Sequence, residues 1–345
     1  MTARKQYYSL DLAKFIAAIL VIIIHTAPFQ SYSGVLNYGF RNIITVVAVP
    51  FFFITSGFLC FSKINELDEA ATKSYVYVYI RRLVVMYCLW SAVYFVFVAI
   101  DWVQEGVQII DVLQYIKRFF FEGSYLTIWF LPALIAATLI TYFLSRKFSY
   151  KAVLWIAIPF YLIACLGSSY YGISERIPIV REIFAVYYSF FDTIKNGVLF
   201  GFVYVSLGAY FATVQSDAKP GKYVGWIILF YCLMAVETLG QTVLGSAIRG
   251  VDAKLMLLPL SAFLFLFVIS IRLPESKCYI WMRKLSLMMF LSQRIFLTVF
   301  EMTLSETVFV KNTMLYFVCI LILTVLFSVI FIKLSEKMKL LKRFY

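Results

Sequence analysis

The feature that most constrains this chain is a recurrence. Apolar runs that reach or approach the length of a membrane helix follow one another from Leu12 to Ile332, separated by short gaps. A helix needs ~20 mostly apolar residues to cross the hydrocarbon layer. Lipid offers no partner to backbone N–H and C=O groups, and successive helices satisfy them segment by segment. Composition agrees, at 63% hydrophobic and 14% charged; a soluble domain has roughly 45–50% and about a quarter. A core made from 345 residues cannot hide that excess, so lipid must act as part of the solvent. The expected fold is an all-α membrane protein, one bundle of about ten transmembrane helices. The predicted spans are 12–29, 42–62, 83–100, 126–144, 152–166, 193–214, 223–240, 255–271, 285–303 and 314–332. No Pro/Gly/Ser-rich linker interrupts them, so residues 1–345 read as a single domain.

The net charge of +13 has a topological explanation. With ten crossings, the N-terminal side holds the loops 63–82, 145–151, 215–222 and 272–284 and the tail from Lys333. That side carries about 20 of the 31 Lys/Arg and the other side about 8. Basic loops stay in the cytoplasm, which places both termini there. The bilayer, not nucleic acid, is the expected partner of this charge. Arg4 and Lys5 ahead of the Leu12 run resemble a signal sequence, but no small-residue cleavage site follows, so this reads as an uncleaved first helix. Six cysteines lie mostly in apolar runs with no C-x-x-C pair; free thiols are expected, with no disulfide framework and no metal site.

Two outer connections are long. Val107 to Phe121 is amphipathic and predicts a helix lying in the interface. Residues 167–192 bring Tyr170, Tyr171, Tyr187 and Tyr188. These two segments either cap an outward cavity or form an aromatic belt.

The chain has one histidine, His25, inside the first span. Lys14 precedes it by eleven residues. At ~100° per residue, eleven steps return to within ~20° of the start, ~16 Å along the axis. The two side chains therefore share one helix face, and Asp11, three residues before Lys14, can pair with it. An imidazole at membrane depth beside a cation suits general-base chemistry. The plainer readings are a histidine bonding a neighbouring helix and a lysine snorkelling to the interface. Lys195, Glu237, Arg294 and Glu301 are further ionisable residues within spans; Lys195 and Arg294 either line the same cavity or pair with acids.

Leu10-Asp11-x-x-Lys14-x-x-Ala17 through His25, then Val49-Pro50-Phe51-Phe52-Phe53 and Ser56-Gly57-Phe58, resembles the opening of the acyltransferase-3 family. Arg81-Arg82, Ile128-Trp129-Phe130-Leu131-x-Ala133-Leu134, and Lys195-Asn196-Gly197 followed by Leu207-Gly208 continue the resemblance in order. The resemblance implies a membrane-embedded O-acyltransferase of the bacterial cell membrane. Such an enzyme has no resident cofactor. It takes an acyl group, usually acetyl, from cytosolic acyl-coenzyme A and passes it to a hydroxyl of an envelope carbohydrate. It further implies His25 as the catalytic residue and Lys14, with Arg81 and Arg82, as contacts for the coenzyme A phosphates. Arg81-Arg82 also reads as topology-setting charge. Ser56 or the Trp129 indole would serve the developing oxyanion, with Asp11 and Lys195 as further substrate-side candidates. Two departures stand out. The family's Arg is Lys14 here, which keeps the charge and loses the bidentate fork. Where the family often has a His near the ninth helix, this chain has Gln293, which cannot titrate. Without the appended soluble domains of some members, the chain would act alone or hand over to a separate extracytoplasmic protein. The competing reading is a membrane transport component for a small solute or amino acid, as in the membrane half of serine-racemase-type resistance proteins.

Overall fold

A computed structural model describes residues 6–214, 218–246, 249–304, 311–338 and 340–345. The described residues form helices and connecting turns, with no strand among them. Each predicted span falls on a helix. The helices are α1 (Tyr8–Thr26), α2 (Gly34–Gly39), α3 (Ala48–Ile64), α4 (Glu69–Glu105), α5 (Ile109–Phe121), α6 (Phe130–Ser145) and α7 (Tyr150–Gly167). There follow α8 (Tyr171–Ser174), α9 (Pro178–Phe190), α10 (Phe202–Phe211), α11 (Gly221–Val243), α12 (Leu257–Ser270), α13 (Lys277–Leu304) and α14 (Thr313–Lys337). Two π-helical turns, Phe40–Ile44 and Gly197–Gly201, lead toward α3 and into α10.

Among the described residues, seven helical segments are long and apolar enough to cross a membrane: α1, Gly34–Ile64, α4, α7, α11, α13 and α14. The spans expected at 126–144, 193–214 and 255–271 coincide with shorter apolar helices, α6, Gly197–Phe211 and α12. At 1.5 Å per residue, 14–16 residues reach ~21–24 Å, short of a ~30 Å hydrocarbon core.

Several boundaries differ from expectation, among them the start of α13 at Lys277 within the expected loop 272–284, and two have local reasons. Residues 69–82, read as loop from their polarity, are the first turns of α4. The Asp68 side chain accepts from the Ala71 N–H at 2.8 Å and caps the helix. No Gly or Pro follows before Glu105 to stop it. Arg81 and Arg82 thus stand on a helix, exposed. The first span stops at Thr26, not Phe29, because Ala27 turns left-handed at φ 48° and Pro28 follows.

The core is welded by glycines from two separate parts of the chain. α3 and α10 run antiparallel, and a Cβ on Gly57 would collide with the Val205 carbonyl, one on Gly208 with the Ile54 carbonyl. A small residue is needed on both sides for the backbones to approach this closely. Gly208→Ala should cost about 1–3 kcal/mol by overpacking, because backbone rather than a flexible side chain must yield; the thermal midpoint in detergent checks it.

α5 has the expected amphipathic form, with no buried residue. It is fastened by Arg118 to Asp192 at 2.7 Å, just beyond α9.

Candidate active site

α1 and α13 run side by side in the same direction. The Tyr8 ring meets Tyr279 at 5.7 Å, and Asp11 pairs with Arg283 at 3.2 Å. Further along, His25 lies within electrostatic reach of Arg294. Lys14 and His25 are eleven residues apart on one helix, and Arg283 and Arg294 are eleven apart on the other. Equal spacing on parallel neighbours stacks the four groups in two tiers, ~16 Å apart along the axes.

The first tier is an ion trio. Asp11 lies between Lys14, at 3.2 Å, and Arg283, also at 3.2 Å. The side chains of Asp11 and Lys14 are only 7% and 14% exposed; that of Arg283 is 37% exposed and opens the tier to solvent. The expected Asp11–Lys14 pair is therefore present, and α13 supplies a second cation that the α1 spacing did not reveal.

The second tier surrounds His25. The imidazole is accessible at the surface although protein surrounds it closely, so it lies in a recess. Four charged groups act on it: Arg294, Lys195, Arg41 and Asp252. They come from four elements. Arg41 lies in the π-helical turn before α3, and Lys195 just ahead of the second π-helical turn. Asp252 lies in the loop before α12, and Arg294 is in α13. π-helical turns are frequent at functional sites because they redirect side chains that a regular helix would turn away.

Local chemistry explains the Lys195-Asn196-Gly197 motif. The Asn196 side chain accepts from the Val198 and Leu199 N–H groups at 3.0 and 2.9 Å and starts the turn. Gly197 rests against the Ala133 carbonyl of α6, where a Cβ would come within 2.5 Å. Lys195, at the mouth of this turn, reaches Asp252 at 3.3 Å.

The loop that carries Asp252 is pinned from both sides. The Glu237 carboxylate accepts from the backbone N–H groups of Leu255 and Met256 at 2.7 and 2.9 Å, and from the Tyr170 hydroxyl at 2.6 Å. Lys254, 0% exposed, donates to the Asn42 carbonyl at 2.6 Å and to the Thr238 hydroxyl at 2.8 Å. Burial pushes the Lys254 ammonium down to about 8 from 10.5, against the pull of Glu237 and Asp252. The unfolded chain therefore holds one more proton between these values. Stability from this group is present above pH 10.5 and is lost as pH falls toward 8. Lys254→Met should flatten that part of the pH–stability curve, read as thermal midpoints in detergent across this window.

Arg81 and Arg82 are exposed on α4, whose packing partners are α6, α13 and the C-terminal turn Leu341–Phe344. Trp129 begins α6 among aromatic rings, 6.1 Å from Phe53 and 6.0 Å from Phe200. Ser56 is half-buried in α3, one residue from the Gly57 contact. Gln293 is fully buried next to Arg294; its amide donates to the Phe290 carbonyl at 3.2 Å, and its own carbonyl oxygen has no partner. Arg41, Asp252 and the Arg283 pairing escaped sequence reasoning. The repeated eleven-residue spacing of Arg283 and Arg294 was a usable signal; Arg41 and Asp252 offered none. Among the described residues no cluster of three His, Cys, Asp or Glu could hold a metal ion.

Residues 7–333 match the acyltransferase-3 family model, an acyltransferase domain. The chain belongs to that family. This acyltransferase-3 domain is also similar to longer curated proteins. It is 32% identical over 241 residues to an amino-acid racemase of Enterococcus faecalis, covering 69% of this chain and 32% of that one. A second amino-acid racemase of the same organism is 24% identical over 342 residues, 97% of this chain and 47% of that one. A serine/alanine racemase of Enterococcus gallinarum is 25% identical over 326 residues, 94% and 46%. The domain thus spans half or less of the length of these relatives. No solved structure matches it. Family and helices together make the acyltransferase-3 domain a multi-pass membrane protein.

Proposed function

We propose that this chain is a membrane O-acyltransferase. It would carry an acyl group, most simply acetyl, from cytosolic acyl-coenzyme A to a hydroxyl of a cell-envelope carbohydrate or related acceptor. The reading adopts ten crossings of the bacterial inner membrane with both termini cytoplasmic, the three shorter helices tilting or thinning the bilayer around them. One observation carries it: the sole imidazole lies in an accessible recess, on the same helix face as a lysine held in an ion trio.

The chemistry follows from the two tiers. Coenzyme A phosphates meet Lys14 and Arg283, with Arg283 the exposed member, and the extended arm of the coenzyme follows α1 toward His25. There the neutral imidazole takes the proton of the acceptor hydroxyl as its oxygen attacks the thioester carbonyl. The tetrahedral intermediate collapses with cleavage of the C–S bond, and the thiolate receives that proton to leave as free coenzyme A. In the two-step variant the imidazole attacks the thioester first, the C–S bond breaks and the thiolate leaves with the ring N–H proton; the hydroxyl then takes the acyl group as the C–N bond breaks, and its proton restores the imidazole. Arg41, Lys195 and Arg294 lower the cost of the oxyanion in either case.

The test uses purified protein in nanodiscs. Acyl-coenzyme A should bind, and Lys14→Met should weaken that binding about tenfold, the worth of one charge-assisted contact. Radiolabelled acetyl-coenzyme A supplied without acceptor separates the routes, since only the two-step route labels the protein. Failure of the coenzyme to bind would favour the competing reading, solute transport.

A further inference from the structure

We propose that the acceptor is an anion, and that its carboxylate or phosphate group sits between Arg41, Lys195 and Arg294 beside His25. This rests on the acyl-transfer reading and adds the class of acceptor to it. Lys254 ties its loop to the Asn42 carbonyl beside Arg41 at 2.6 Å, and Asp252 of that loop pairs with Lys195 at 3.3 Å, so the segments of Arg41 and Lys195 meet, within electrostatic reach of His25 as Arg294 is. Glu301 holds two nitrogens of Arg294 at 3.0 and 2.6 Å, which leaves the buried Arg294 Nε without a partner. Arg41 forms no ion pair among the described residues and is exposed. Cations gathered in a recess repel one another, and the cost is lowest when an anion completes the set.

The coenzyme is the other possible source of negative charge. Its phosphates already have a place at the first tier, ~16 Å away along α1. A coenzyme seated there brings its uncharged thioester end to His25, so the second-tier cations are left for the other substrate. Arg41 lies in the segment that joins α1 to α3, at the end of α1 away from Lys14. A guanidinium without a competing carboxylate is suited to a bidentate grip on a carboxylate or phosphate. Held there, an acceptor would present a neighbouring hydroxyl to the imidazole, and Lys195 would tune the grip through its sharing of Asp252.

The single histidine supplies a direct readout. Diethyl pyrocarbonate modifies imidazole with a characteristic absorbance, and in this chain that signal comes from His25 alone. Purified protein in nanodiscs would be challenged with the reagent in the presence of N-acetylmuramic acid, glucuronic acid or glycerol phosphate. The matched neutral probes are N-acetylglucosamine, glucose and glycerol. At least one charged probe should protect His25 at concentrations about ten- to a hundredfold below its neutral counterpart. Arg41→Gln should erase that advantage and Arg41→Lys should restore part of it. Equal protection by charged and neutral probes, or none by any, would overturn the proposal. So would a tenfold loss of acetyl-coenzyme A affinity in Arg41→Gln, which would assign the site to the donor phosphates. Protection requires no turnover, so a failure of acyl transfer itself would show separately, as a coenzyme that does not bind.

Discussion

His25→Ala should lower acyl transfer by about 10²–10⁴-fold while the protein keeps its elution position in detergent gel filtration. The magnitude is that of a general base removed from a site whose binding groups stay in place. The fold should survive because His25 is exposed in its recess rather than filling a packed core position, and among the described residues its ring makes no hydrogen bond. Donor binding should also survive, since Lys14 and Arg283 lie at the other tier. The expected pattern is therefore a loss in kcat with little change in the KM for acyl-coenzyme A. An unchanged rate in a folded His25→Ala protein would remove the imidazole from the chemistry and with it the proposed mechanism.

What the sequence disclosed and what it hid follow from the range of each interaction. Apolar run length fixes helices, so all ten expected spans coincide with helical segments, while their boundaries moved by several residues at some ends, decided by a cap at Asp68 and a left-handed residue at Ala27. Helical periodicity relates residues within one helix, so Asp11, Lys14 and the direction of His25 were legible. Periodicity says nothing about which helices lie side by side. The Gly57 and Gly208 motifs could be noticed but not matched to each other, although they interlock in the fold. The recess around His25 is assembled from four elements far apart in the chain, three of them irregular, and irregular backbone has no period to read. Glu237 stood out as an intramembrane acid without an evident partner. It proves to hold a loop by two backbone N–H groups, an interaction that leaves no pattern in side-chain identities.

The racemase-named relatives bear on how widely this arrangement is used. Two of them match more than nine-tenths of this chain with less than half of their own length. The ion trio and the recess are built entirely within residues 11–294, inside the matched family segment. These residues thus all lie in the segment that the family model matches.

Asp11→Asn should act in opposite directions on stability and on donor affinity, and this pairing of signs distinguishes a working ion trio from a merely structural one. Asp11 is buried and contacts both Lys14 and Arg283. Breaking a buried ion pair costs about 3–5 kcal/mol, because the partner charge is left without compensation. Arg283 is 37% exposed and partly screened by solvent, so the lower end, about 3 kcal/mol, is expected. The unfolding midpoint should fall accordingly. The carboxylate also competes with any anion for the same two cations. Its removal should free both for coenzyme A phosphates, and the KM for acyl-coenzyme A should fall even as the protein becomes less stable. Lys14→Met removes a cation instead and should raise that KM. A purely structural trio would loosen the site in both variants and raise the KM in each. Steady-state kinetics below the lowered midpoint, with acyl-coenzyme A varied at fixed acceptor, separates the two, and a higher KM in Asp11→Asn would take the donor phosphates away from this tier.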